Sequence, residues 1–235
     1  MFDSITFNRY FFMNTLQEEL IMDYELVRRL SQYKRILVKL RAMGFVKVFS
    51  DNLSDALGLS ASLVRKDFAA CNLTGKKRGG YRVEELIEKL NALLGKNGEQ
   101  RVIIVGCGKL GSALLDYTGF EAEQIRVLAG FDTNPQRQNR DAAIPVLPAD
   151  EMESFIQTHR IQVAILTVPE PASLALAEQL RGYGIRGILN FAPVPIRSTD
   201  DCNVETVNLA LEVEKLFFYI SARDNRLIEP RKETA

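Results

Sequence analysis

An α/β fold in two parts is what the sequence predicts: a small basic helical domain, then a doubly wound parallel sheet, closed by one apolar helix. Three observations predict it. Amphipathic helical patterns run from Tyr24 to Leu94. The stretch "RVIIVGCGKLGSALL", Arg101 to Leu115, joins a buried β-branched strand to a helix through three glycines. Strands then alternate with helices to the end of the chain, the pattern of a parallel sheet with helices on both faces.

The totals fit this division. A chain of 235 residues accommodates two modest domains, each with its own core. No apolar run approaches the ~18–20 residues that cross a bilayer, and the N-terminus lacks the basic-then-apolar layout of a secretory signal. Three scattered cysteines, Cys71, Cys107 and Cys202, fit reduced thiols in a cytoplasmic protein, with neither a disulfide framework nor a zinc site. A net charge of zero hides an asymmetry. Residues 24–96 carry 15 Lys/Arg against 7 Asp/Glu, whereas residues 97–235 carry 14 against 19. A basic domain joined to an acidic one points to a polyanionic partner for the first.

Residues 1–23 form an aromatic extension without clear period, with Met13 and Met22 as alternative starts to Met1. Residues 24–95 form the first domain. Leu26, Leu30, Tyr33, Leu37 and Leu40 recur at helical spacing, and Gly44 stops that helix. Within "SDNLSDALGLSASLVRKDFAACN" the pattern predicts a short helix over Leu53–Leu57, a turn at Gly58 and a second helix capped by Ser60 or Ser62. Ala56 is small where the two helices cross. Ser60, Ser62, Arg65 and Lys66 then lie on an outward face that donates to phosphates and base edges, a helix-turn-helix arrangement. "GKKRGGYRV" follows, placing Lys76, Lys77 and Arg78 between glycines ahead of a short strand. A basic hairpin tip there reads as the wing of a winged-helix domain, suited to phosphate or minor-groove contact. A helix from Val83 to Leu94 and a linker over Gly95–Gln100 complete this half.

Residues 96–207 form the second domain, of Rossmann type. Gly106 makes the tight turn, Gly108 lets backbone approach a pyrophosphate, and Gly111 lets the helix pack on the strand. Cys107, Lys109 and Leu110 complete the turn and the helix start, whose free N–H groups suit phosphate. A second strand, "RVLAGFD", ends in Asp132, 21 positions past Gly111. A carboxylate there accepts ribose hydroxyls and repels a 2′-phosphate, which favours NAD(H) over NADP(H) although Arg137 stands close by. Further strands are predicted at Val163–Val168 and Gly187–Phe191, with a helix between them opened by Pro171. The one histidine, His159, falls at a helix end, and no proton-relay set stands near the strand ends, so the sequence is read as that of a non-enzyme. Residues 208–235 hold a terminal helix whose stripe of Leu209, Val213, Leu216, Phe217 and Ile220 is too apolar to stay bare, and it is expected to dock on another subunit.

Taken together, "RRLSQY", "VRKDF", "GKKRGGYRV", "GCGKLGSALLDY", "FD", "TVP" and "GIRGILNFAP", over Val27 to Tyr219, resemble the Rex family of bacterial redox-sensing transcriptional repressors. The resemblance implies a homodimer that binds palindromic operator DNA, is released by NADH and permitted to bind by NAD⁺, with terminal helices swapped between subunits. It implies further cofactor contacts at Thr167, Val168, Pro169, Asn190 and Phe191, and no metal. This chain departs from the pattern in three places. Ser31 stands where the family has proline, the glycine-bearing turn after Asp132 is missing, and Asn208 replaces an aspartate. The family's aspartate pairs with an arginine or a tyrosine whose matching positions here are Arg29 and Tyr117, which implies a switch of Arg29, Tyr117 and Asn208 with a blunted response. Two other readings stay open: an NAD-dependent oxidoreductase with an accessory basic domain, and a winged-helix regulator whose Rossmann domain senses another ligand such as a CoA derivative.

Overall fold

The computed structural model describes residues 25–75, 79–96 and 98–224. Lys76, Lys77 and Arg78 of the expected wing tip lie outside the described residues, as do the N-terminal extension and the last eleven residues. The chain divides into two compact units, with the boundary between Gly98 and Glu99.

In the first unit, helix α1 covers residues 25–42. Its apolar stripe buries Leu30, Tyr33 and Leu37, and leaves Leu26 and Leu40 half-buried at the ends. Strand β1 (Lys47–Val48) leads into helix α2 (Ser50–Leu57), a turn at Gly58, and helix α3 (Ala61–Ala70). Gly58 takes the left-handed conformation, φ 65°, that the turn requires. Strand β2 (Tyr81–Arg82) pairs antiparallel with β1, and helix α4 (Val83–Leu93) closes the unit. Four helices and a two-stranded antiparallel sheet, whose strands flank α2 and α3, make the winged-helix arrangement, and the core joins Leu30, Tyr33, Leu37, Leu53, Val64, Phe68 and Leu90. The rings of Tyr33 and Phe68 meet edge to face at 5.3 Å.

Two details of this unit differ from the sequence reading. Helix α2 begins at Ser50, three residues before Leu53, because the Asn52 side chain accepts the Phe49 N–H at 2.8 Å and caps the chain earlier. Ala56 is exposed and does not take the close-packed position expected of it; Ser54 is buried instead, its hydroxyl donating to the Asp51 carbonyl at 2.9 Å. In compensation for polarity, a buried hydroxyl needs such a local acceptor.

The second unit is a six-stranded parallel sheet. Its strands are β3 (Gln100–Val105), β4 (Ile125–Asp132), β5 (Val146–Pro148), β6 (Val163–Leu166), β7 (Gly187–Asn190) and β8 (Asn203–Thr206). They lie in the order β5-β4-β3-β6-β7-β8, so the chain reverses its direction of winding between β3 and β6, and a crevice opens there. Residues of β3 alternate strictly: Ile103 and Val105 join one buried cluster, Val102 and Ile104 the other. Helices α5 (Lys109–Leu115), α6 (Gly119–Ala122), α7 (Met152–His159) and α8 (Glu170–Gly182) connect the strands, and α9 (Leu209–Asp224) ends the described chain. Strands β5 and β8 were not expected from sequence. The first is three residues with a proline, and the second is a mostly exposed edge strand without apolar alternation. Gln100, expected in the linker, is the first residue of β3, and β6 and β7 stop at Leu166 and Asn190, short of the predicted ends.

A buried ionic cluster ties α1 to α3. Arg29 donates to both carboxylate oxygens of Asp67, at 2.6 and 2.9 Å, and the Tyr33 hydroxyl donates to Asp67 Oδ2 at 2.8 Å. The Asp67 side chain is 4% exposed and that of Arg29 18%. Burial, and then the bond to Asp67, push the Tyr33 phenol above its ordinary range, so it stays a proton donor. Removing one member of such a pair leaves the other charge stranded. Asp67→Ala is therefore expected to lower the stability of this unit by about 3 kcal/mol, the lower end for a buried pair because Arg29 retains some water. Urea unfolding that shows less than ~1 kcal/mol of loss would mean the cluster adds no net stability.

Candidate nucleotide crevice and basic helix face

Gly106 follows β3 directly and turns with φ 92°. A Cβ there would sit 2.7 Å from Val168 Cγ1 and 3.0 Å from the Thr167 carbonyl oxygen, so glycine is required on two counts. A Cβ on Gly111 would collide with the Gly106 carbonyl oxygen, which is how closely α5 approaches the turn. Gly108 is different. Its backbone, φ −70° and ψ −161°, is one that any residue adopts, and an added Cβ would meet only the Arg137 guanidinium at 3.8 Å. The fold gives Gly108 no reason to be glycine; the space in front of it belongs to the crevice.

That crevice is about 510 Å³ and lies at the C-terminal ends of β3, β4 and β6. Of the residues expected to hold a cofactor, Gly106, Gly108, Asp132, Thr167, Val168 and Pro169 line it together. Ala172 and Leu176 of α8 supply an apolar wall. The other candidates lie elsewhere. The Cys107 side chain is buried with its thiol toward the Phe131 carbonyl at 3.7 Å, and burial, then the Asp132 charge, raise that thiol to about 11. Lys109 and Leu110 are exposed at the start of α5, and Gly111 is buried beneath the turn. Asn190 is fully buried and does not line the crevice. Its amide nitrogen donates to the Val194 carbonyl at 2.8 Å and its oxygen accepts the Ala192 N–H at 2.9 Å, so it fastens the loop after β7. Phe191 packs at the edge of the cluster on the opposite sheet face.

Asp132 is the acid of the crevice, paired with Arg137, and is 6% exposed. Its Oδ2 accepts the Cys107 N–H at 2.8 Å and an Arg137 Nη1–H at 3.2 Å; its Oδ1 accepts the Asn134 N–H at 2.8 Å. Burial pushes the carboxyl up, but the Asn134 and Cys107 N–H groups and the Arg137 guanidinium outweigh it and hold the carboxyl below its ordinary value. Sequence reasoning missed the bond from Asp132 to the glycine turn. It also missed Gly130, where a Cβ would press on Cys107 Sγ at 2.5 Å; a glycine inside a predicted strand was the available signal.

In the first unit, Ser60 is the N-cap of α3, accepting the Leu63 N–H at 3.2 Å, and Ser62 is the second residue of the helix, its hydroxyl 2.9 Å from that of Ser60. Arg65 and Lys66 are exposed on the same helix. Arg65 Nη1 donates to Ser50 Oγ at 3.0 Å, so its guanidinium is fixed from the start of α2, with most of its donors still facing water. Arg29 is engaged by Asp67 as described, Tyr117 is 57% exposed just past α5, and Asn208 accepts the Leu211 N–H at 3.1 Å as the N-cap of α9. The apolar residues of α9 named above are each more than half exposed. Among the described residues no group of side chains suits a metal ion, and no helix is long and apolar enough to cross a membrane.

Comparison with known proteins bears on both units. Residues 25–69 match a family model described as "Putative DNA-binding protein N-terminus", and residues 97–194 one described as "CoA binding domain". The chain is 38% identical over 196 residues to the redox-sensing transcriptional repressor Rex of Brevibacillus brevis, covering 83% of this chain and 95% of that one. Among solved structures it is similar to RSP, a Rex-family repressor, in complex with NAD⁺ and operator DNA: TM-score 0.77, 31% identity, 89% of this chain and 97% of the other. RSP in complex with NADH gives TM-score 0.72 at 30% identity, covering 86% and 97%.

The glycine geometry separates a structural from an open position. Gly111→Ala is expected to destabilise the second unit by about 1–3 kcal/mol, since backbone must move to admit the methyl group. Gly108→Ala should stay within ~0.5 kcal/mol of the parent. Calorimetric unfolding of the two variants checks this, and equal losses would place Gly108 among the glycines that the fold itself requires.

Proposed function

The chain belongs to the Rex family of redox-sensing transcriptional repressors, and from that premise we propose that it binds operator DNA as a homodimer and lets it go when NADH fills the crevice. The observation that carries the nucleotide half is Gly108, kept free of a side chain where no part of the protein needs the room. The site sits at the reversal point of a doubly wound sheet, beside the start of a helix and an acid at the end of the neighbouring strand, the layout that receives a pyrophosphate and an adenosine ribose. The RSP complexes with NADH and with NAD⁺ support the choice of dinucleotide.

For DNA, α3 presents Ser62, Arg65 and Lys66, and the expected wing adds Lys76, Lys77 and Arg78. Arg65, held by Ser50, is oriented for a base edge or a fixed phosphate, while Lys66 serves as a mobile phosphate contact. The exposed apolar face of α9 supplies a dimer contact with a second copy of the chain. A two-fold dimer reads a palindrome. Such a protein works beside the chromosome, in the cytoplasm.

The switch is proposed to pass through Asn208, Tyr117 and Arg29. Asn208 caps α9, and aspartate caps equally well, so Asn208→Asp adds a charge without disturbing the helix. Arg29 already has a carboxylate in Asp67, which reduces what an acceptor at position 208 gains from it. A neutral Asn208 and a satisfied Arg29 leave little electrostatic difference between two states, and the NADH response is correspondingly blunted. A second reading, a regulator that senses a CoA derivative, is favoured by the description of the model matching residues 97–194.

Fluorescence anisotropy on a palindromic operator duplex of a Rex relative, titrated with NADH, NAD⁺ and acetyl-CoA, tests these readings. NADH alone should release DNA; release by acetyl-CoA instead would establish the second reading. Asn208→Asp should enlarge the NADH-dependent loss of affinity, and a double-mutant cycle with Tyr117→Phe should be non-additive. An unchanged response would remove position 208 from the coupling. On the DNA side, Lys66→Ala should weaken all duplexes alike and reduce the salt slope by about one unit. Arg65→Ala should cost about 1–3 kcal/mol on the preferred sequence and relax preference at one base pair. Undiminished binding by the double variant would take α3 out of the interface.

A further inference from the structure

We propose that Phe49 is a DNA contact of a different kind from the basic side chains, its ring packing on a deoxyribose of the backbone where α2 begins. The inference rests on the DNA-binding reading above and concerns a side chain which that reading leaves unused. Phe49 is the last extended residue before α2, with φ −111° and ψ 162°. It therefore continues the alternation of β1: Val48 is fully buried, whereas Lys47 and Phe49 take the other side and are exposed.

Its neighbours place the ring between α3 and the wing. Strand β1 pairs with β2 as Lys47 with Arg82 and Val48 with Tyr81, and one step further in that register brings Phe49 opposite Gly80, at the base of the wing. A Cβ on Gly80 would come 3.2 Å from the Phe49 ring, so the ring lies against bare backbone there. Next to Phe49 in the chain, Ser50 Oγ accepts an Arg65 Nη1–H at 3.0 Å, and Asp51 lies 4.0 Å from the same nitrogen. Phe49 and the Arg65 guanidinium thus meet at one helix start.

Gly80 covers only part of the ring. Phe49 stays 49% exposed, with the exposed cations Lys47, Arg65 and Arg82 around it. The acids nearby, Asp51 and Glu85, each stand beside one of these arginines. Cations on such a surface meet phosphates, but between successive phosphates the DNA backbone presents an apolar face, the sugar. In a helix-turn-helix the first helix crosses the backbone while the second enters the groove. Helix α2 is that first helix, so a ring at its start meets sugar rather than base edges. The contact covers apolar surface and neutralises no phosphate, so it adds affinity that salt does not screen. A lysine contact does the reverse.

The test is fluorescence anisotropy of the full chain, Phe49→Ser and Phe49→Leu, over a range of salt. Each is titrated onto a palindromic operator duplex of a Rex relative and onto a scrambled duplex of equal length. Serine is the stronger N-cap residue, so Phe49→Ser does not weaken the start of α2. Phe49→Ser should weaken both duplexes by about three- to tenfold, the worth of covering half of a phenylalanine side chain, with the salt slope unchanged. Phe49→Leu keeps an apolar surface and should stay within about twofold of the parent. A salt slope lowered by about one unit in Phe49→Ser would mean that the ring only positions cations, and it overturns the sugar contact. Undiminished binding overturns it too, as does a leucine variant as weak as the serine one. A loss confined to the operator duplex marks a base contact and has the same consequence. If the parent binds neither duplex, the DNA-binding reading fails and this inference with it.

Discussion

The glycine-rich turn keeps its shape because a buried carboxylate on the next strand takes one of its N–H groups. Asp132 accepts from Cys107 at 2.8 Å, and that single bond fixes the turn after β3 to the end of β4. The rest of the crevice follows from it. With the turn so placed, Gly106 lies against Thr167 and Val168, and Gly111 brings α5 down onto the Gly106 carbonyl. Thr167 completes the ring by donating its hydroxyl to the Gly106 carbonyl, which ties β6 to the same turn. Cys107 fills the hollow that Gly130 leaves in β4. The cradle is assembled by the protein's own bonds, so a ligand entering it pays little for ordering its walls.

The first unit is built around a comparable device. Asp67 sits on α3 two residues beyond Arg65, on the opposite face, and is gripped by Arg29 and Tyr33 from α1. The acid is inward and the bases outward on one short helix, so the tilt of the outward face is fixed by the inward bond. Ser50 adds a second restraint from α2. On the proposed reading, in which these side chains contact DNA, the rigidity is an advantage, because conformational entropy lost at folding is not lost again at binding.

Much of this was legible in the sequence, for identifiable reasons. The strand–turn–helix at Gly106–Gly111, the acid at Asp132 and the helix-turn-helix around Gly58 each pair a backbone constraint with a residue type that satisfies it. Strands β5 and β8 were not legible, since three or four residues without alternation carry no period. Ala56 was mistaken for the crossing residue because size alone does not say which face a helix buries; Ser54 is nearly as small and finds a local acceptor. The engagement of Asn190 was likewise not legible: the resemblance implies a cofactor contact there, and the structure shows its amide bonded to the following loop. Arg29 and Asp67 are a different case, 38 positions apart, and no local pattern encodes their juxtaposition.

On the proposed reading, the crevice does the opposite of what a dehydrogenase site must do. A catalyst needs its cofactor beside a substrate and a proton relay, whereas a sensor needs only that occupancy change the balance between two arrangements of the chain. A ligand shifts such a balance by its differential affinity alone, however tightly it binds. The nucleotide cradle is rigid and self-bonded, so the difference between states must arise outside it, in parts that have more than one partner available. Terminal helix α9 is the element with that character: its apolar residues are uncovered in the single chain, and its capping residue is neutral. Coupling strength then depends on what α9 gains in each arrangement. On that same proposal, a neutral amide at position 208, whose hydrogen bonds are about half as strong as those of a carboxylate, gives the terminal helix less to gain from a change of partner than an acid there.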